Sequence, residues 1–184
     1  MIMTVAEFRQ FVKTDEENQV LEAKLQALEL LIRAYTNNNF QVRAFRDVAV
    51  AQADHELQFK GKVPFKVGDT LQITESEYMP DALVTVASVT DDGIITVNED
   101  LYDEGGVVVT KVSYPHDVKM GVMYLLKWEL NSREKVGISS ETISRHSVTY
   151  ESMTDGNSVM GYPKTLIGFL KPYRKARFGR GIGV

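Results

Sequence analysis

The chain of 184 residues contains no cysteine. That excludes a disulfide framework, a catalytic thiolate and a zinc–thiolate site, and it suits a reducing compartment. Long apolar runs are also missing; nothing approaches the ~20 apolar residues that cross a bilayer. The opening MIMTVAEFRQ lacks the basic-then-apolar layout of a signal peptide. The expectation is a soluble intracellular protein with no membrane partner. Histidine is scarce: His55, His116 and His146 lie far apart, without metal-ligand spacing, and no HExxH occurs. GxxxxGK[ST], GxGxxG and GxSxG are absent, so no familiar phosphate cradle or nucleophile elbow is present. No catalytic residue, no metal and no cofactor is expected, and the chain reads as a non-enzyme.

What is present is an uneven charge. Residues 163–184 hold six cations (Lys164, Lys171, Arg174, Lys175, Arg177 and Arg180) and no acid. With a net charge of −4 for the chain, the first 162 residues therefore carry −10. Such asymmetry points to a tail that meets an acidic partner, against the blander reading of a solubilising tail. The end of the chain, KPYRKARFGRGIGV, also carries Phe178, Ile182 and Val184, with glycines that permit close backbone approach. Alone in solution it is expected to be disordered.

Periodicity organises the remainder. Thr4 can cap a short helix over 5–12 that places Val5, Phe8 and Phe11 on one side. Thr14 and Glu17 have the spacing of a capping box. Behind them Leu21, Leu25, Leu28, Ile32 and Tyr35 recur at helical spacing, and Asn37, Asn38 and Asn39 stop that helix. From about residue 41 the period becomes two. Five or so short strands follow, with turn signals at Val67-Gly68-Asp69 and Thr90-Asp91-Asp92-Gly93. Helix resumes at 115–130, apolar on nearly every side: Val118, Met120, Val122, Met123, Tyr124, Leu125, Leu126, Trp128 and Leu130. A helix of that kind is covered by neighbours or by other subunits. ISRHSVTYES then reads as a strand or an extended arm. Pro163 opens a last short helix with Leu166, Ile167 and Leu170 on one face, and Pro172 ends it.

The expected fold class is α+β. A helical bundle of about four helices (1–40 and 113–171) carries an inserted small β-barrel or β-sandwich (41–112), with an extended arm and a flexible basic tail (172–184). The acidic stretch NEDLYDEGG, with Glu99, Asp100, Asp103 and Glu104, could hold a divalent ion or a basic partner, but it reads better as a solvated loop. Ser139, Ser140 and Thr142 read as caps and turn formers. A rival reading is a nucleic-acid-binding module, with Tyr173 and Phe178 interleaved among tail cations above a small barrel. Against it, residues 41–112 hold more acids than bases, where a basic groove is wanted.

Three stretches together resemble the head–tail connector (adaptor, or head-completion) family of tailed bacteriophages. They are VAEFRQFVKTDEENQVLEAKLQALELLIRAYTNNNF, VKMGVMYLLKWELNSREKVGISSETISRHSVTY and YPKTLIGFLKPYRKARFG. The β-module departs from shorter members, which join the helices by a brief link. The resemblance implies a structural virion protein at the head–tail interface, present in host cytoplasm during assembly. It implies a homo-oligomeric ring, commonly a dodecamer, beneath a portal protein. Such a ring extends the DNA channel for packaging and genome ejection, passes DNA without sequence-specific binding, and docks a tail-proximal connector or tail-terminator protein. By the same resemblance, the portal-binding tail would be Lys171, Tyr173, Arg174, Lys175, Arg177, Phe178, Arg180, Ile182 and Val184. The subunit-contact arm would be Ile143, Arg145, Val148 and Tyr150.

Overall fold

The computed structural model describes residues 1–132, 140–143, 146–149 and 156–177. Its fold is α+β: four helices and a closed six-stranded antiparallel barrel. The chain divides into two compact units, one of Met1–Ile2 with Asn38–Tyr114 and one of Met3–Asn37 with Pro115–Val184.

The first unit is the barrel. Its strands are β1 (Gln41–Gln52), β2 (Glu56–Phe59), β3 (Thr70–Thr74), β4 (Ala82–Val89), β5 (Ile94–Val97) and β6 (Glu104–Val112). They lie in the order β1-β2-β5-β4-β3-β6, and β6 returns to pair with β1. Closure removes the free edges that an open sheet would expose. Alternate residues point inward: Ala49 and Ala51, Leu57 and Phe59, Leu71 and Ile73, Val84 and Val86, Ile95 and Val97, Val107 and Val109 form one buried cluster. The β4–β5 turn falls at the expected Thr90–Gly93 stretch. Gly93 sits at φ 84°, and a Cβ there would lie 2.2 Å from the Gly61 carbonyl oxygen, so glycine is required on both conformational and steric grounds.

One strand more than the five anticipated is present. β2 has only two inward residues, Leu57 and Phe59, and its turn from β1 passes through His55 at φ 64°, a weak pattern to read from sequence. The acidic stretch has structural work in this unit. Glu99 accepts the Thr85 amide at 2.7 Å, and Asp103 accepts the Ala53 amide at 2.9 Å. Glu104 accepts the Ser76 hydroxyl and the Glu77 amide, each at 2.5 Å.

The second unit is helical. In α1 (Val5–Phe11), Thr4 Oγ1 accepts the Glu7 amide at 3.1 Å and Glu7 accepts the Thr4 amide at 2.8 Å, a complete capping box. Burial works against the Glu7 charge, but the Thr4 amide and the Lys119 cation outweigh it and hold the carboxyl below its usual range. The box expected at Thr14–Glu17 does not form. Thr14 Oγ1 accepts instead from the Glu16 amide at 3.2 Å, and Glu17 caps α2 (Asn18–Thr36) without a side-chain bond. Arg9 takes over this corner. It donates to Asn18 Oδ1 at 3.0 Å and to the carbonyls of Thr14 and Glu16 at 2.8 and 2.5 Å.

Leu21, Leu25, Leu28 and Ile32 of α2 are buried, as their spacing requires. Within this unit α2 packs against α1, against α3 (His116–Ser132) and against a 3₁₀ turn, Gly168–Tyr173. α3 buries Val118, Gly121, Val122, Met123, Leu125 and Leu126. The Phe169 ring lies directly on Gly121, where a Cβ would come within 2.3 Å of it. α3 is not covered all round, however: Met120 and Tyr124 remain 39% and 51% exposed.

ISRHSVTY is not one strand. It straddles a hairpin, β7 (Ser140–Ile143) paired antiparallel with β8 (His146–Thr149), so Ile143 faces His146 in register. The sequence alternation runs on across both strands and conceals the reversal. Ile143 and Val148 belong to these strands, whereas Arg145 and Tyr150 lie outside the described residues. A short ladder, β9 (Ser158–Val159) with β10 (Tyr162–Pro163), leads into α4 (Lys164–Ile167) and then the 3₁₀ turn. Pro172 lies inside that turn rather than ending the ordered chain.

Candidate functional site

The expected tail begins as an ordered strap. The last turn of an α-helix leaves carbonyls without intrahelical partners and a partial negative charge. Asn37 closes α2 in the left-handed conformation, φ 49°, with its amide on the Arg33 carbonyl. Residues 174–177 satisfy much of what remains. The Lys175 amide donates to the Thr36 carbonyl at 2.8 Å, and Arg177 Nη2 donates to the Ala34 carbonyl at 2.6 Å. Asn37 Nδ2 donates to the Ala176 carbonyl at 3.0 Å. The Arg174 guanidinium lies 5.0 Å from the centre of the Tyr35 ring, a cation–π contact.

Tyr173 fixes the strap from the other side. Its hydroxyl lies 2.8 Å from both oxygens of Asp117 in the first turn of α3. Donation to that carboxylate, with some burial and the Asp117 charge, pushes the Tyr173 phenol above its usual ionisation range. The stretch from residue 172, expected to be flexible, is tied down as far as Arg177, with the Lys175 amide and the Arg177 guanidinium on carbonyls at the negative end of α2. Lys171 is exposed in the 3₁₀ turn. Phe178, Arg180, Ile182 and Val184 lie outside the described residues.

The residues that sequence reasoning missed are the receiving ones: Ala34, Tyr35, Thr36, Asn37 and Asp117. A signal existed. A capped helix end with unpartnered carbonyls and a cation-rich segment later in the same chain are complementary.

A second feature shares the helical unit. A groove of about 590 Å³ runs along α2, walled by Val20, Ala23, Ala27 and Leu31 and closed by Met160 and Tyr162. Gln19, Lys24 and Glu129 line it as well, and Glu129 accepts Lys24 Nζ at 3.0 Å and the Tyr162 hydroxyl at 2.5 Å. The Trp128 ring backs Tyr162 at 5.5 Å between centroids. Leu30, also on α2, is 62% exposed.

Among the described residues, no group of three or more His, Asp or Glu is placed to hold a metal ion. No helix there is long and apolar enough to cross a membrane. No family model matches the chain, and no curated protein matches it. Among solved structures, the chain is similar to one from "Neck of empty GTA particle computed with C6 symmetry", at 15% identity and a TM-score of 0.35, over 98% of this chain and 93% of that one.

Proposed function

We propose that this chain is a non-enzymatic structural virion protein, a head–tail connector that assembles as a ring beneath a portal. Its channel passes DNA, and its far side docks a tail component. The observation that carries the reading is the uncovered stripe on α3. Met120 and Tyr124, one turn apart, stay exposed on the face of α3 that also carries Asp117 and Lys127, while Val118, Val122, Leu125 and Leu126 are buried. Burial of apolar area contributes roughly 25 cal/mol per Å², and a neighbouring copy in a closed ring would supply that cover. The sequence resemblance of all three helical stretches to connectors points the same way.

In this reading the strap at 174–177 is a fixed base and the segment beyond Arg177 is the portal anchor. Many copies, each binding weakly, give avidity around a ring. Hairpin β7–β8 would contribute Ile143 and Val148 to subunit contact. A nucleic-acid role for the tail is less well supported, since Arg174 and Arg177 are engaged within the chain.

The test is portal binding by a chain that stops after Arg177. It should keep its melting temperature and lose the portal; undiminished binding would remove this assignment of the tail. Met120→Asp with Tyr124→Asp should leave the tail competent to bind while preventing a closed ring.

A further inference from the structure

Two uncovered surfaces of the helical unit match in spacing. On α3 the exposed pair, Met120 and Tyr124, stands four residues apart, about 6 Å of helix at ~1.5 Å per residue. On α2 the groove is lined by Ala23 and Ala27, also four residues apart and also exposed. Larger side chains flank the two alanines around that helix, Val20 and Lys24 on one side and Gln26 and Leu30 on the other. Side chains four apart form rows, and two helices pack when a row of one enters the trough between rows of the other, crossing at about −50°. A row of two large apolar residues and a trough of two alanines at the same spacing meet that condition.

One copy can offer both surfaces at once. Glu129 walls the groove from α3. Nine residues at ~100° each place it about 180° round that helix from Met120. Stripe and groove wall therefore stand on opposite sides of α3. A contact that uses a different patch on each partner is heterologous, and its repetition runs head to tail until a ring closes.

Charge sets the direction of the contact. Asp117 precedes the stripe and exposed Lys127 follows it. On α2, Glu17 and Glu22 lie toward the N-terminal end of the groove, and Arg33 lies beyond its C-terminal end. With the two helices antiparallel, Tyr124 meets Ala23 and Met120 meets Ala27. Lys127 then comes to the glutamate end and Asp117 to the Arg33 end. Parallel helices would set Asp117 against the glutamates and Lys127 against Arg33. The antiparallel contact also brings opposite ends of the two helix dipoles together.

We propose that the Met120–Tyr124 stripe of one copy of this chain seats in the α2 groove of the next copy, with α3 and α2 antiparallel. The proposal rests on the ring reading and adds which two surfaces build it.

The test mixes two variants with no portal present, so it can fail while portal binding stands, and the reverse. Met120→Asp with Tyr124→Asp loses the stripe and keeps the groove. Ala23→Glu with Ala27→Glu loses the groove and keeps the stripe. All four positions are exposed, so both variants should keep the wild-type melting temperature. In analytical ultracentrifugation up to millimolar concentration, the wild type should form oligomers larger than a dimer. Each variant alone should stay monomeric, and their mixture should stop at a one-to-one dimer. A monomeric mixture or a monomeric wild type would overturn the proposal. So would either variant pairing with itself, which would make the contact like-with-like. A second readout needs no charged substitution, because the chain has no cysteine. Tyr124→Cys protein should form several-fold more mixed disulfide with Ala23→Cys protein than with Ala27→Cys protein. Equal yields or the reverse preference would overturn the antiparallel contact.

Discussion

The barrel unit and the helical unit solve the burial problem in opposite ways. The barrel closes its own edges and fills its interior with inward residues from all six strands. Its acidic loop is consumed in holding its own turns together. The helical unit leaves Met120, Tyr124 and Leu30 exposed, leaves a groove along α2, and needs a later piece of chain to finish the end of that helix. The barrel completes its own hydrogen-bonded edges and its own interior, although Val48, Val50, Val67, Tyr78 and Tyr102 stay exposed on its outside. The helical unit is built to be completed, first by its own strap and then, in the proposed role, by neighbours and a portal.

This contrast can be broken by substitution. The largest effects belong to the barrel interior, where removing buried atoms leaves a cavity. Ile73→Ala or Ile95→Ala, both fully buried, should cost about 2–5 kcal/mol, read by chemical denaturation. A loss of under about 1 kcal/mol would show that the interior repacks freely. By the same logic, Met120→Ala and Tyr124→Ala on the helical unit should change monomer stability by no more than about 0.5 kcal/mol. A cost as large as in the barrel would mean that α3 is already covered.

Next in size are the helix ends. Thr4→Ala removes half of the α1 capping box and should cost about 1 kcal/mol. The same cap gives a pH signature. Glu7 has a lowered pKa in the folded chain, so its contribution is present above its unfolded value and fades as pH falls through the lower, folded value. Acid titration of the wild type should therefore show a loss of α1 stability that Glu7→Gln abolishes. If both proteins lose stability identically, the box contributes nothing. The smallest effects belong to the strap. Arg177→Ala should cost about 0.3–1 kcal/mol at low salt, and less as salt screens the α2 terminus. A salt-independent cost would point to packing rather than charge.

Much of this was legible in the sequence because single elements have strong periods. The α2 face declares itself through four buried residues at helical spacing, and the β4–β5 turn through its glycine. What was hidden depends on partners distant in sequence. β2 offers two inward residues and looks like loop until β1 and β5 flank it. Two Thr-x-x-Glu spacings occur near the N-terminus, and only the first closes as a box, since Arg9 occupies the second corner. Composition alone made the tail look detached. The carbonyls that receive Lys175 and Arg177 lie about 140 residues earlier in the chain, a separation across which local pattern says nothing.

The most direct measurement of the proposed role is electron microscopy of the chain mixed with a candidate portal protein. Full-length protein should appear as a ring coaxial with the portal, and protein cut after Arg177 should leave the portal bare. Bare portal with the full-length chain, or an unaltered ring with the shortened one, would contradict the account.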